Sequence, residues 1–253
     1  MKEIEPIAVF HSPLTSKFGI PRQSGIAENL VGTIELLPPY NREEAIRGIE
    51  KFDYLWLIWG FSANKDQSKN NTEGIKLTVR PPRLGGNERL GVFATRSPFR
   101  PNGLGLSSVK IVKIDNNKID VAGADLMDGT PIYDIKPYIS YVDSHSKALG
   151  GFTDEHEWKV LTVKIGEKWG AYFDKNKLAA LKELLAQDPR PQYHNDENRV
   201  YGMPYDGKDV RFKVVGEDLA LRVLLKLLTY FYRSKHPTFL LSLLLILSTH
   251  AHL

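Results

Sequence analysis

From the N-terminus to about residue 165, short apolar runs alternate with segments of Gly, Pro and Asn, a spacing that predicts a β-rich fold. The runs predict strands at Ile4–Phe10, Gly32–Leu36, Tyr54–Phe61, Leu90–Thr95, Ser107–Ile114, Lys118–Ala124, Ile132–Ile135 and Trp158–Ile165. Asp115-Asn116-Asn117 joins two of them as a hairpin turn, because Asn and Asp tolerate the left-handed backbone that such turns use. One helix interrupts the pattern. Asn41 is placed to cap it, Glu44 follows at capping-box spacing, and Ala45, Ile46, Ile49 and Phe52 form an apolar stripe for one end of the sheet.

The period changes after residue 165. A second helix is predicted from Asp174, with Leu178, Leu181, Leu184 and Leu185 on one face. It stops before Asp188-Pro189, since proline disfavours helical geometry in its predecessor. A turn at Tyr205-Asp206-Gly207 and a hairpin of Val210–Val215 with Leu219–Leu224 complete a small unit. The expected division is a first domain over 1–165, a small α+β domain over 166–225 and a Leu-rich tail over 226–253. From Leu219 onward there are thirteen Leu, four basic residues and no acid, but the longest nearly unbroken apolar stretch, Phe239–Ser248, is only ten residues. That is about half of what spans a bilayer, so no membrane crossing is expected. The tail reads as a helix docked on the body, a non-native extension or a membrane-surface segment.

Composition narrows the chemistry by subtraction. The 253 residues contain no Cys, which removes disulfides, thiolate zinc sites, iron–sulfur clusters and a cysteine nucleophile together. The seven His are scattered, only His250 and His252 standing close, and no metal site is expected. Met1–Pro6 offers no apolar run to act as a signal peptide, which places the chain in the cytoplasm. The net charge is only +4, but its distribution is uneven. Between Lys76 and Pro101 lie Lys76, Arg80, Arg83, Arg89, Arg96 and Arg100 against the single acid Glu88. Five of these six are Arg, which suits bidentate contact with phosphate or carboxylate.

Familiar catalytic motifs fail on inspection. Gly103-Leu104-Gly105 lacks the third Gly of a dinucleotide-binding turn and leads into strand-like residues, so a Rossmann methyltransferase or dehydrogenase is excluded. Ser144-His145-Ser146-Lys147 has Ser-x-x-Lys spacing with no companion motif. Pro98-Phe99-Arg100-Pro101 reads as a turn. Four polar, Gly- or Pro-rich segments remain between strands: Gly19–Gly25, Arg80–Asn87, Ala94–Leu106 and Asp125–Tyr138. Such loops on a β scaffold are where sites are built. Arg22 and Gln23 behind Pro21, Arg96 and Arg100, and Asp125 and Asp128 before Gly129 suit a polar zwitterionic ligand carrying a diol beside an anionic partner. The residues alone reach a β-rich domain that binds a small polar ligand near a basic surface.

Four strings go further: VRPPRLGGN at 79–87, GVFATRSPFRPN at 91–102, DLMDGTP at 125–131 and DIKPY at 134–138. With Pro21-Arg22-Gln23 and Tyr40-Asn41 they resemble the TsaA-like family, also called YaeB or TrmO, over residues 1 to about 150. Asp188-Pro189-Arg190-Pro191 and Tyr193 resemble that family's smaller C-terminal domain. The resemblance implies a mainly β fold, a single-sheeted β-barrel N-terminal domain with a small α+β C-terminal domain. It also implies an S-adenosyl-L-methionine-dependent enzyme that methylates N6 of N6-threonylcarbamoyladenosine at position 37 of tRNA, and a homodimer. Carried onto this chain, the family's cofactor loops fall on Pro21, Arg22, Gln23, Ser62, Ala63, Arg96, Leu106, Met127, Asp128, Gly129 and Thr130. Where relatives often have Phe-His, this chain has Phe61-Ser62.

Asp134, Lys136 and Tyr138, just after the cofactor loop, are the expected substrate-contacting catalytic residues, and Arg80, Arg83 and Arg100 the expected RNA contacts. Two readings of other classes stay open, a non-catalytic RNA-binding barrel and an S-adenosylmethionine-binding sensor.

Overall fold

A computed structural model describes residues 3–62, 77–81, 88–155, 159–191, 194 and 196–226. Six strands alternate in direction and close into a barrel in the order β1-β2-β7-β6-β3-β8, antiparallel throughout. They are β1 (Ala8–His11), β2 (Val31–Leu36), β3 (Tyr54–Gly60), β6 (Leu104–Asp115), β7 (Lys118–Ala122) and β8 (Thr130–Pro137). Two short strands, β4 (Thr78–Val79) and β5 (Leu90–Gly91), form a separate ribbon. Period-two alternation decides what fills the barrel: Ala8 and Phe10, Ile34 and Leu36, Leu55, Leu57 and Trp59, Ile119 and Val121 all point inward and are buried. The expected mainly β, single-barrel architecture is therefore observed, and no Gly-rich strand-to-helix turn occurs at Gly103, from which β6 runs on as strand.

A second module packs its own core. The strands β9 (Thr162–Lys164), β10 (Tyr201–Tyr205), β11 (Lys208–Val215) and β12 (Asp218–Lys226) form a sheet in the order β10-β11-β12-β9. The helix Lys175–Ala186 buries Ala180, Leu181, Leu184 and Leu185 in the same core as Met203, Val210 and Phe212. Asp174 caps that helix by accepting a hydrogen bond from the Lys177 N–H at 2.9 Å. Beyond the helix Asp188 adopts φ 48°, a left-handed conformation that ends the helix just before Pro189.

The structure corrects several expected elements. The helix over 41–52 is instead a single turn at Glu43–Ile46 and a 3-10 turn at Ile49–Lys51, because Gly48 between them takes φ 91°. Arg42, not Asn41, occupies the cap position and makes no side-chain cap bond. The strand expected over Leu90–Thr95 stops at Gly91 and turns into a 3-10 helix at Val92–Ala94, burying Val92. Among its described residues, the run expected as a strand of the first domain at Trp158–Ile165 supplies only Thr162–Lys164, which pairs in parallel with β12 and so belongs to the second sheet. Strand β10 goes beyond the sequence pattern, since Pro204 inside it argues against a strand; it lies on the sheet edge, where proline is tolerated. The tail beyond residue 226 lies outside the described residues.

Candidate active site

Strand polarity explains how distant segments meet. β1, β3 and β7 end, and β2, β6 and β8 begin, at one end of the barrel, so the connections 12–30, 61–103 and 123–129 all emerge there. Every expected cofactor residue lies on these connections or within the first three residues of an adjoining strand. Leu106 is the third residue of β6 and Thr130 the first of β8. Ser62 is exposed at the end of β3, and Ala63 lies outside the described residues.

The β1–β2 connection is wedged into the barrel wall. Pairing between β6 and β7 ends at Lys110 and Ala122, and Ser24 and Gly25 fill the gap above it. The Ser108 N–H donates to Ser24 Oγ at 3.3 Å, and the Gly25 N–H to the Gly123 carbonyl at 2.8 Å. This brings Gln23 against the β3–β6 connection, where Arg96 Nη1 donates to Gln23 Oε1 at 2.6 Å. Beneath that pair sits Asp125. Its carboxylate accepts from the Ser107 hydroxyl, which itself accepts from the Trp59 indole N–H at 2.9 Å. Burial raises the Asp125 carboxyl above its ordinary range, opposed by the Ser107 hydrogen bond, its own backbone N–H, the Arg96 charge and the Ser24 N–H. Asp125, on the third connection, therefore meets Ser24 of the first and lies within the field of Arg96 on the second.

On the other side of the loop cluster the Asp128-Gly129 turn is tied to β1. The Asp128 N–H donates to the Leu14 carbonyl at 2.9 Å and the Gly129 N–H to the Phe10 carbonyl at 2.8 Å. Asp128 Oδ1 accepts from the Ser12 N–H at 3.1 Å and lies 3.6 Å from His11 Nδ1, whose other ring nitrogen is 3.0 Å from Glu35. Gly129 takes φ 76°, a conformation that calls for glycine. Thr130 is buried and donates its hydroxyl to the Met127 carbonyl at 2.7 Å, fixing the end of the turn. Pro21 is buried, whereas Arg22 is exposed and Gln23 half-buried.

The expected catalytic residues are placed elsewhere. Asp134 and Lys136 flank Ile135, which is half-buried against the barrel core, and pair with each other at 2.7 Å on the outer face of β8. Tyr138 lies at the opposite end of the barrel, its N–H on the Tyr54 carbonyl and its ring 5.6 Å from Trp56. It stands eight positions along the chain from Thr130, about 26 Å at the usual rise. Within one chain these three residues are thus not gathered with the loop cluster.

The basic segment divides. Arg80 is exposed, Arg89 donates to Thr78 Oγ1 at 3.2 Å, and Arg83 and Lys76 lie outside the described residues. Arg100 folds back on its own loop and donates to the Thr95 carbonyl at 2.7 Å and the Val92 carbonyl at 3.4 Å.

The cofactor loops carried over from the family omit Asp125, which the residue pattern alone offers beside Asp128 as a ligand group, and no motif marks Ser107, Trp59 or Ser24. One signal was available: Ser107 occupies an inward position of β6 in register with the apolar Val109, and a polar group there needs a partner. Gly105 is a second, since a Cβ at that position would run into the Trp59 indole.

The site fits a compact zwitterion with an apolar moiety. It presents carboxylates at 125 and 128, an amide and guanidinium at 23 and 96, and Leu106 with 60% of its surface exposed among them. Among the described residues no group of three or more His, Asp or Glu could hold a metal, and no helix is long and apolar enough to cross a membrane. The closed antiparallel barrel with this polar loop cluster, and no Rossmann sheet among the described residues, is the architecture of a β-barrel methyltransferase, the class that the matching family model names.

The chain belongs to the TrmO family: the family model for the tRNA-methyltransferase O N-terminal domain matches residues 9–144, and that for the TrmO C-terminal domain matches 161–225. It is 39% identical over 229 residues to the Pseudomonas aeruginosa protein RcsF, named as an S-adenosylmethionine-dependent methyltransferase, covering 87% of this chain and 96% of that one. It is 37% identical over 231 residues to an Escherichia coli K12 tRNA (adenine(37)-N6)-methyltransferase, covering 84% and 93%. A crystal structure of TrmO from Pseudomonas aeruginosa superposes with TM-score 0.71 at 30% identity, covering 88% of this chain and 98% of the other.

Proposed function

We propose that this protein transfers the methyl group of S-adenosylmethionine to N6 of adenine 37 in tRNA, and that the accepting base carries a threonylcarbamoyl group. Family membership and the names of its relatives support the tRNA reaction and the cofactor. The observation that carries the site assignment is the meeting of three connections around Gln23, Arg96 and Asp125 at one barrel end. The cofactor supplies a methyl on a sulfonium, open to in-line attack by a nitrogen. The protein's task is then to align donor and acceptor and to exclude water. Pro21, Arg22, Gln23, Ser62, Ala63, Arg96, Leu106 and Met127–Thr130 are assigned to holding the cofactor. The N6 proton of a threonylcarbamoyl nucleoside belongs to a urea-like group, more acidic than that of adenosine, so a modest acceptor suffices.

Arg80 and Arg83 are assigned to tRNA phosphates, and Arg100 both to that surface and to bracing the turn at Val92–Thr95. Asp134, Lys136 and Tyr138 are assigned to the tRNA away from the methyl donor, or to the donor of a second copy across a homodimer. The chain works in the cytoplasm, its barrel, closed by β8 at Pro137, carrying the chemistry and the module from Leu161 to Lys226 supporting it, so that the boundary expected at 165/166 moves to before β9.

Nucleoside mass spectrometry of tRNA incubated with the protein and S-adenosylmethionine tests the reading. The expected result is one added methyl group on the threonylcarbamoyl nucleoside alone. Cofactor binding without any methylated nucleoside would leave a sensor, and tRNA binding without cofactor binding a non-catalytic RNA-binding barrel.

A further inference from the structure

We infer that the second module is a structural part of the cofactor site: it holds the Pro21-Arg22-Gln23 loop in place from the side opposite the barrel. The inference rests on the proposed role of that loop. The β1–β2 connection leaves the barrel after His11, yet none of its residues joins the barrel core. Leu14, Ala27 and Leu30 are buried in the core of the second module, with Phe18 and Ile20 packed against the same core. The Phe18 ring stacks on Phe212 of β11 with centroids 6.4 Å apart. Gly19, at φ 93°, lies so close to β10 that a Cβ there would stand 2.7 Å from Met203 Cε.

Polar contacts follow the same path. The Asp206 N–H donates to the Pro13 carbonyl at 3.1 Å, and Glu183 on the long helix accepts both the Asn29 N–H, at 2.9 Å, and the Asn29 side-chain amide. A cleft between residues 17–22 and the end of that helix is lined on the helix side by Leu184, Gln187, Asp188 and Pro189.

Residues 21–23 are therefore strung between two anchors. Ser24 and Gly25 fasten one side to the barrel wall, and Phe18, Gly19 and Ile20 fasten the other to the second module. Neither anchor alone fixes where Arg22 and Gln23 stand. Ordering such a loop in advance of binding spares the ligand that cost, which is how a distant packing contact raises affinity.

The test uses the full chain and two variants that release the loop differently. Phe18→Ala removes the stacked ring. Glu183→Ala removes the acceptor of Asn29 at a half-buried helical position where alanine favours the helix. Hydrogen exchange over residues 17–25 should accelerate in both variants, while the helix Lys175–Ala186 and β11 stay protected. Calorimetry should give S-adenosylmethionine binding weakened about tenfold. The cofactor KM should rise with kcat at saturation nearly unchanged, a split that general destabilisation does not produce. The inference is overturned if exchange over 17–25 does not change, which would mean that the barrel alone holds the loop. It is equally overturned if the loop is released and cofactor affinity stays within about twofold of wild type. Should the wild-type chain bind no S-adenosylmethionine, the cofactor reading falls with the role given to the loop, and exchange over 17–25 shows separately whether the module anchors it.

Discussion

Burial pushes the Asp125 carboxyl up while Ser107, its own backbone N–H, Arg96 and the Ser24 N–H pull it down, and burial wins. A carboxyl whose folded-state pKa lies above its unfolded value, about 3.9, costs the fold nothing below that value. Its cost grows as the pH rises through the folded value, when the folded chain must lose a proton it holds more tightly than the unfolded chain does. Asp125→Asn is thus expected to raise the melting temperature at neutral pH and to flatten its decline above pH ~4, while weakening S-adenosylmethionine binding. Calorimetric melts and titrations check both halves; a variant that loses stability at neutral pH would contradict the sign. Asp128 offers a simpler case, because its carboxylate is half-exposed and bonds only at the loop edge. Asp128→Ala is expected to weaken cofactor binding by about 1.5 to 3 kcal/mol, the loss of a charged hydrogen bond, with the circular dichroism unchanged.

Local signals set some elements firmly and left others to their neighbours. Asn116, at φ 53°, turns the chain between Asp115 and Lys118 as its type suggests, and Asp206-Gly207 does the same between β10 and β11. The long helix begins at its cap, and Asp174→Ala is expected to cost about 1 kcal/mol in denaturant unfolding. The stretch 41–52 went the other way. Half of its apolar stripe holds: Ile46 and Ile49 pack on the barrel core, while Ala45 and Phe52 are exposed, because contact with the barrel rim needs only two short turns and Gly48 lets the chain bend between them.

For the whole molecule, charge and chain ends give the measurable consequences. If the basic segment meets phosphates, the double variant Arg80→Ala, Arg83→Ala should weaken tRNA binding and flatten its dependence on salt, with cofactor affinity unchanged. An unaltered slope of affinity against salt concentration would place those side chains away from RNA. Strand β12 runs to Lys226, and the loop cluster lies wholly before residue 131. Truncation after Lys226 should therefore leave cofactor affinity and methyl transfer intact; an insoluble product, or a changed oligomer in size-exclusion chromatography, would show that the tail covers apolar surface.

What the sequence determined by itself was whatever depends on neighbours along the chain. Period-two runs marked the barrel strands, Asn and Asp-Gly marked turns, and the long strings around Arg80, Arg96 and Asp128 carried the family and most of the proposed cofactor residues. Tertiary structure alone decided what depends on residues far apart. Strand polarity sends three connections to one barrel end, which is why Ser24, Arg96, Ser107 and Asp125 meet and why Tyr138, only ten residues beyond Asp128, does not join them. The same holds for Leu14, Phe18 and Leu30, apolar residues of a first-domain loop that are buried in the second module's core, because hydrophobic burial depends on area removed from water and not on sequence distance.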